Sequence, residues 1–273
     1  MLDNREGALH ADIPLLARLL CSRHFGVGAD GVLIIGPSNV ADFSMGYYNA
    51  DGSTGGMCGN GGRCLARYAY ERGVAGPEMR FEAFGHIYAA TVTTTGIRLC
   101  MKLPLDLRQS ISLTRGTERF TASYVNTGSP HTVIFVDDIE KVNVLELGLW
   151  VRHHPEFAPL GTNANFVQTT GPESIRLRTY ERGVETETMA CGTGSVASAY
   201  VYHLAQGSTK PVRVRVRSGE DLLVHVHEND AGELTSIELE GSASILFDGT
   251  TLVDMTGGKL LSTMQPQKEQ GLL

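Results

Sequence analysis

The chain has 273 residues, 42% of them hydrophobic, and a formal net charge of −7 at pH 7. That length and apolar share suit one large or two smaller globular domains with a sizeable core. The sequence contains no Lys/Arg block, no apolar run long enough to span a bilayer and no apolar leader, so nucleic-acid, membrane and secretory roles are not expected and a cytoplasmic location is.

In chain order, residues 13–23 read as a helix. Gly26-Val-Gly-Ala-Asp-Gly31 then leads into a strand at Val32–Ile35. The glycines match a dinucleotide fingerprint by letter, but that loop needs a strand before it and a helix after it, so a structural turn is the reading and no nucleotide cofactor is expected. Residues 42–52 form a strand running into a polar turn, and Met-Cys-Gly-Asn-Gly at 57–61 opens a helix-like run over 62–70. Two short strands surround Gly85 within 79–92, and a further strand covers 97–103. A domain boundary is expected near Leu107–Ser112. Strands follow at 120–126 and 132–137, then a helix near 143–154 and a strand near 164–168.

A strand and turn at 175–183 precede Ala-Cys-Gly-Thr-Gly at 190–194 and a helix-like run at 195–202. Two strands surround Gly219 within 212–226, where the run 212–217 alternates strictly, and another strand follows at 235–240. The order of strand, cysteine turn, helix and meander therefore occurs twice, which marks an α+β unit used twice. The expected division is 1–109 with Cys58 plus a returning strand near 244–254, then 110–243 with Cys191, and a mobile tail over 255–273. The halves differ at their starts: the first opens with a helix, the second with strands.

The five cysteines are an odd number at low density, which fits reduced thiols better than a disulfide scaffold. A cysteine is most often a small buried hydrophobe, and Cys21, Cys64 and Cys100 are read that way. The repeated Cys-Gly-x-Gly phrase changes the reading for Cys58 and Cys191. Glycine beside each thiol lets a ligand approach, and a helix N-terminus offers amides and a positive dipole end that favour a thiolate and bind a carboxylate. A disulfide between these two is the competing structural reading; a zinc site has no second Cys or His cluster to support it.

Glu181-Arg182-Gly183 lies shortly ahead of Cys191. An exposed ion pair is the ordinary reading of adjacent charges. The other is that Arg182 grips a carboxylate while Glu181 holds an amine or moves a proton. Asn49 and Asn163 fit Asx turns as well as contacts to a zwitterionic substrate, and local sequence leaves both readings open. His131 follows a Gly-Ser-Pro turn.

These pieces together resemble the diaminopimelate epimerase family: Phe25–Gly31, Asn49–Ser53, Cys58–Gly61 with Arg63-Cys64, Gly128–His131, Asn163–Phe166, Glu181–Gly183 and Ala190–Gly194, in the family's order. The resemblance implies two pseudo-symmetric α/β halves, each a mixed barrel-like sheet around a central helix. It implies a small-molecule substrate, an active site between the halves and a homodimer. It implies an isomerase needing neither metal nor pyridoxal phosphate, which interconverts LL- and meso-2,6-diaminopimelate in lysine and peptidoglycan precursor biosynthesis. By the same resemblance Cys58 and Cys191 are the catalytic pair. Gly59, Asn60, Gly192 and Thr193 cradle the reacting α-carboxylate. Asn49, Asn163 and Arg182 read the distal centre, and Glu181 and His131 contact the amine and assist the thiols.

Two departures carry expectations. The family opens with a strand and a Gly-x-Gly-Asn-Asp-Phe phrase, whereas this sequence begins at Met1-Leu-Asp-Asn-Arg5. A missing first strand and one missing substrate ligand are therefore expected, with an exposed sheet edge and reduced activity. Ser129 stands where many members carry Asn. The alternatives are another two-cysteine amino-acid racemase, a non-catalytic binder of similar ligands, and a metal- or disulfide-held structural protein.

Overall fold

The computed structural model describes residues 1–7, 9 and 12–260, and the backbone of 265 and 266. It divides into two compact units, residues 1–97 with 243–273, and residues 98–242.

In the first unit β1 (Leu2–Asp3) runs parallel to β2 (Gly31–Gly36), and α1 (Ile13–Cys21) links them. Asp12 accepts the Leu15 amide and Pro14 sits in the first turn, which together start α1. β2 is antiparallel to β3 (Phe43–Asn49). The helix α2 (Gly59–Glu71) then crosses to β4 (Glu78–Ala83), parallel to β3, and β4 turns back into antiparallel β5 (His86–Val92). The core stacks Phe43 on Phe81 and Phe81 on Tyr88, with both centroid separations 5.6 Å.

The second unit takes β6 (Ile97–Met101) from Arg98 onward, then β7 (Leu105–Arg115), β8 (Glu118–Asn126), β9 (Pro130–Phe135), α3 (Val144–Arg152), β10 (Asn163–Gly171) and β11 (Ser174–Glu181). These lead to β12 (Thr186–Thr188), α4 (Gly192–Gln206), β13 (Val212–Arg215), β14 (Asp221–Glu228) and β15 (Leu234–Gly241). Its spatial strand order is β7-β8-β9-β10-β11-β13-β14-β15-β6, with β12 against β11. β9 and β10 are parallel across α3, and β11 and β13 are parallel across α4. The strict Val/Arg alternation of β13 buries the valines and exposes the arginines. The run Ser195-Val-Ala-Ser-Ala199 of α4 is wholly buried, and these small side chains let β8 to β11 and β13 to β15 all pack on one helix. Gly207, left-handed at φ 65°, ends it.

The units share one connectivity. The series β1-α1-β2-β3-α2-β4-β5 and the series β9-α3-β10-β11-α4-β13-β14 have the same order and the same parallel and antiparallel pairings. Ahead of this shared series the second unit also carries β7 and β8, so it opens with strands as expected, and the first unit has a two-residue strand, Leu2–Asp3, before the helix expected to open it. That strand escaped the sequence because two residues have no periodicity to read. The boundary expected near Leu107–Ser112 falls inside β7, whose mostly exposed residues include Asp106 and Ser110 at positive φ and give no clean alternation. The returning strand expected near 244–254 is replaced by two-residue strands at Gly249–Thr250 and Val253–Asp254, paired locally with 265–266 and Lys259–Leu260. The expected tail beyond 260 otherwise lies outside the described residues. No helix among the described residues is long and apolar enough to cross a membrane.

Candidate active site

In the first unit, Asn49 ends β3, and its side-chain amide donates to the Ser53 hydroxyl at 2.9 Å. The Asp51 carboxylate accepts both the Ser53 amide (2.8 Å) and hydroxyl (2.6 Å), which holds its acid below the usual range. Gly52 turns the chain at φ +86°, with the Pro14 carbonyl only 2.5 Å from where a Cβ would stand. The chain then reaches Cys58, extended at φ −111° and ψ 121°, which is the N-cap of α2. The first helical bond runs from the Gly62 amide to the Cys58 carbonyl at 2.8 Å, so the amides of Gly59, Asn60 and Gly61 have no partner within the helix. Asn60 is exposed, and its carbonyl accepts from the buried Arg63 guanidinium at 3.2 Å.

Cys191 repeats this geometry in the second unit, extended at φ −127° and ψ 112° as the N-cap of α4. Its carbonyl accepts from the Ser195 amide and the Ser195 hydroxyl, both at 2.9 Å. Gly192 and Thr193 form the first turn, and the Thr127 hydroxyl donates to the Thr193 carbonyl at 2.9 Å. The Cys191 sulfur is 3.6 Å from the Thr193 hydroxyl, and that oxygen is 2.9 Å from His131 Nε2. His131 is fully buried; desolvation lowers its pKa to about 3, with the Arg182 charge acting in the same direction. The ring is therefore neutral near pH 7.

A second bonded group lies at the ends of β10 and β11. Asn163, 2% exposed, donates to the Ser129 hydroxyl (2.9 Å) and the Pro130 carbonyl (2.7 Å) and accepts the Arg182 amide (2.8 Å). Both of its amide protons are thus engaged by the protein, and Ser129 makes its contact here. The Arg182 guanidinium donates to the Leu160 carbonyl at 3.3 Å. Glu181 is half-buried and accepts the Thr188 hydroxyl at 2.9 Å; burial raises its pKa despite that bond. Of the other thiols, Cys21 is buried and Cys100 half-buried, as packing residues are, and burial raises the pKa of both. Cys64 is exposed on α2, contrary to the packing reading.

A family model described as diaminopimelate epimerase matches residues 1–98 and 123–246. The chain belongs to the diaminopimelate epimerase family. A diaminopimelate epimerase of Aquifex aeolicus is 45% identical over 236 residues, covering 85% of this chain and 83% of that protein. One from Chlorobaculum tepidum is 41% identical over 254 residues, covering 92% and 95%. Among solved structures, a phenazine biosynthesis protein of the PhzF family from Bacillus anthracis superposes with a TM-score of 0.67 at 16% identity, over 89% of this chain and 88% of that one. A probable proline racemase from Agrobacterium radiobacter does so at 0.62 and 19%, over 86% and 81%. Those two likenesses establish the fold alone.

Sequence reasoning gave Asn165 no role of its own and overlooked Thr127 and Thr179, all three buried and bonded into the second-unit site. One signal for Asn165 was available. Asn163 and Asn165 are two apart on a strand whose first five residues are all buried, so both side chains face one side of an otherwise dry layer.

Proposed function

We propose that this chain interconverts LL- and meso-2,6-diaminopimelate by proton removal from one face of the α-carbon and proton return to the other. The observation that carries the reading is the family match on both sides of each Cys-Gly-x-Gly phrase, with each cysteine as the N-cap of its own helix. One thiolate acts as base while the other thiol donates, and the roles exchange for the reverse reaction. Each sulfur stands at a helix N-terminus, whose free amides and positive dipole end favour a negative charge there.

The α-hydrogen of an amino acid is far less acidic than a thiol. Most of the barrier must therefore fall through stabilisation of the carbanion as charge moves onto the carboxylate. In the proposal the amides of Gly59, Asn60, Gly192 and Thr193 receive that charge. Arg182, with Asn49 and Asn163, takes the second amino-acid head, and Glu181 holds an amine. Ser129 supports this end through Asn163. The neutral ring of His131 serves as a hydrogen-bonding group and not as a proton donor at pH 7. The homodimer and the cytoplasmic location belong to the same proposal.

The test is solvent-deuterium incorporation into each isomer by the intact chain, with proline and hydroxyproline run in parallel. Exchange into diaminopimelate, abolished in Cys58→Ala and in Cys191→Ala, is the expected result. Exchange into proline alone, or wild-type turnover by either variant, overturns it.

A further inference from the structure

A continuous hydrogen-bonded chain inside the second unit runs from Thr179 to the sulfur of Cys191, and one end of it has a fixed polarity. Asn165 is completely buried in β10. Its side-chain nitrogen lies 3.1 Å from the Thr132 carbonyl oxygen, a group that can only accept, so the nitrogen and not the oxygen of the amide faces that way. The amide oxygen accepts the Thr179 hydroxyl at 3.0 Å, consistent with the same orientation. The same nitrogen lies 3.1 Å from His131 Nδ1. An amide nitrogen donates, so Nδ1 must accept. A neutral ring that accepts at Nδ1 carries its hydrogen on Nε2. That hydrogen points to Thr193 Oγ1 at 2.9 Å, occupies one of its lone pairs and leaves the hydroxyl proton to turn elsewhere. The Cys191 sulfur, at 3.6 Å, is within reach.

We propose that Asn165 is a positioning residue that locks His131 in its Nε2–H form and thereby turns the Thr193 hydroxyl proton onto the sulfur of Cys191 when that sulfur is a thiolate. This rests on the reading of Cys191 as one of the two bases. The arrangement suits a sulfur that alternates between two states. With the thiolate, Thr193 donates. With the thiol, the remaining lone pair of Oγ1 accepts the S–H. The opposite tautomer of His131 would draw the Thr193 proton to Nε2 and leave the thiolate without that donor.

Gly194 supports the same conclusion from space alone. A Cβ at Gly194 would stand 2.6 Å from Asn165 Oδ1 and 3.3 Å from the Cys191 sulfur. The last glycine of the Cys-Gly-x-Gly phrase is therefore the place where the amide of Asn165 fits against the thiol's turn. In the first unit the atom nearest to a Cβ at the matching Gly61 is a Leu33 methyl carbon at 3.2 Å.

Two measurements that need no turnover test this. The first is 15N NMR of the intact protein labelled at histidine, with the His131 signals assigned by their loss in His131→Gln. An unprotonated Nδ1 and a protonated Nε2 are expected at neutral pH; a protonated Nδ1 overturns the proposal without recourse to any variant at Asn165. The second is the thiolate ultraviolet absorbance of Cys191 against pH, taken as the difference between Cys58→Ala and Cys58→Ala/Cys191→Ala. Adding Asn165→Ala or Thr193→Val should each lower the thiolate fraction near neutral pH by about ten- to a hundredfold, the scale of one hydrogen bond to a charged group.

Thr193→Val changes one half-buried side chain and keeps the test alive if Asn165→Ala does not fold. It should also leave the His131 tautomer as it is. An unchanged titration in Thr193→Val overturns the proposal. Because neither measurement uses diaminopimelate, a positive result beside absent turnover would sink the proposed reaction and leave the polarity of this chain standing, and the converse result would do the reverse.

Discussion

The side-chain oxygen of Asn163 accepts the backbone amide of Arg182 at 2.8 Å, so the residue before Asn165 on the same face of β10 fixes the turn that presents the arginine. This places a brace behind a candidate substrate contact. Asn163→Ala would leave the Arg182 amide and the Pro130 carbonyl without their partner in a region where Asn163 itself is 2% exposed. The expected cost is about 2–3 kcal/mol of stability, at one to three for each unsatisfied buried group with partial relief by water. Chemical denaturation measures it, and a loss under 0.5 kcal/mol would show that the brace is not needed.

The two Cys-Gly-x-Gly phrases should respond differently to alanine at their last glycine. Alanine at a helical position is favoured over glycine by about 1 kcal/mol. At Gly61 the new Cβ meets a Leu33 methyl carbon at 3.2 Å, which a small side-chain shift relieves. At Gly194 it meets the Asn165 carbonyl oxygen at 2.6 Å, and that amide is held by bonds to Thr132, Thr179 and His131. Gly61→Ala should therefore stay within about 1 kcal/mol of wild type, whereas Gly194→Ala should lose about 2 kcal/mol or more. Thermal unfolding of both variants checks the asymmetry; equal effects would contradict it.

Glu181 carries a stability cost that a binding role would explain. Burial raises its folded-state pKa above the ordinary glutamate value of 4.5, more than the Thr188 hydroxyl lowers it. A raised folded pKa in an acid means that its contribution is most favourable below the unfolded value and is lost as pH rises through the folded one. Glu181→Gln should thus be more stable than wild type near pH 7, and the gain should shrink as pH falls toward 4.5. Melting temperatures of the pair across pH measure this, alongside the loss of isomerase activity expected of the variant. A variant less stable than wild type at neutral pH would reverse the assignment.

His131 works in the opposite direction on the pH axis. Its folded-state pKa of about 3 lies below the ordinary 6.5, so its contribution is complete above pH 6.5 and is lost as the solution is acidified toward 3. At pH 5 the unfolded chain gains about 2 kcal/mol from protonating this ring, at 1.36 kcal/mol for each pH unit. The stability of wild type should accordingly fall more steeply between pH 6.5 and 4 than that of His131→Gln. Parallel slopes in urea unfolding would mean that the ring takes up its proton in the folded state.

Part of this molecule is legible in the sequence because local rules govern it. The alternating valines and arginines of β13, the two Cys-Gly-x-Gly phrases at helix starts and the glycine turns between paired strands follow from side-chain periodicity and backbone sterics. From them came the duplicated α+β plan and most elements to within a few residues. The elements it missed lack such a signature. β1 has two residues, β12 has three, and β7 is exposed along most of its length, so burial imposed no alternation on any of them.

What the sequence determined by itself was the family and the repeated cysteine phrase at two helix starts, since a repeated phrase of small residues around a thiol survives without any knowledge of what surrounds it. Only the tertiary structure decided which atoms lie behind Cys191. The parallel pairing of β9 with β10 puts Asn165 beside Val133 and Asn163 beside His131, and the crossover through α4 delivers Thr193 to His131. Hydrogen-bond polarity depends on directions and distances of a few ångströms between residues far apart in the chain, and nothing in their spacing along it encodes those.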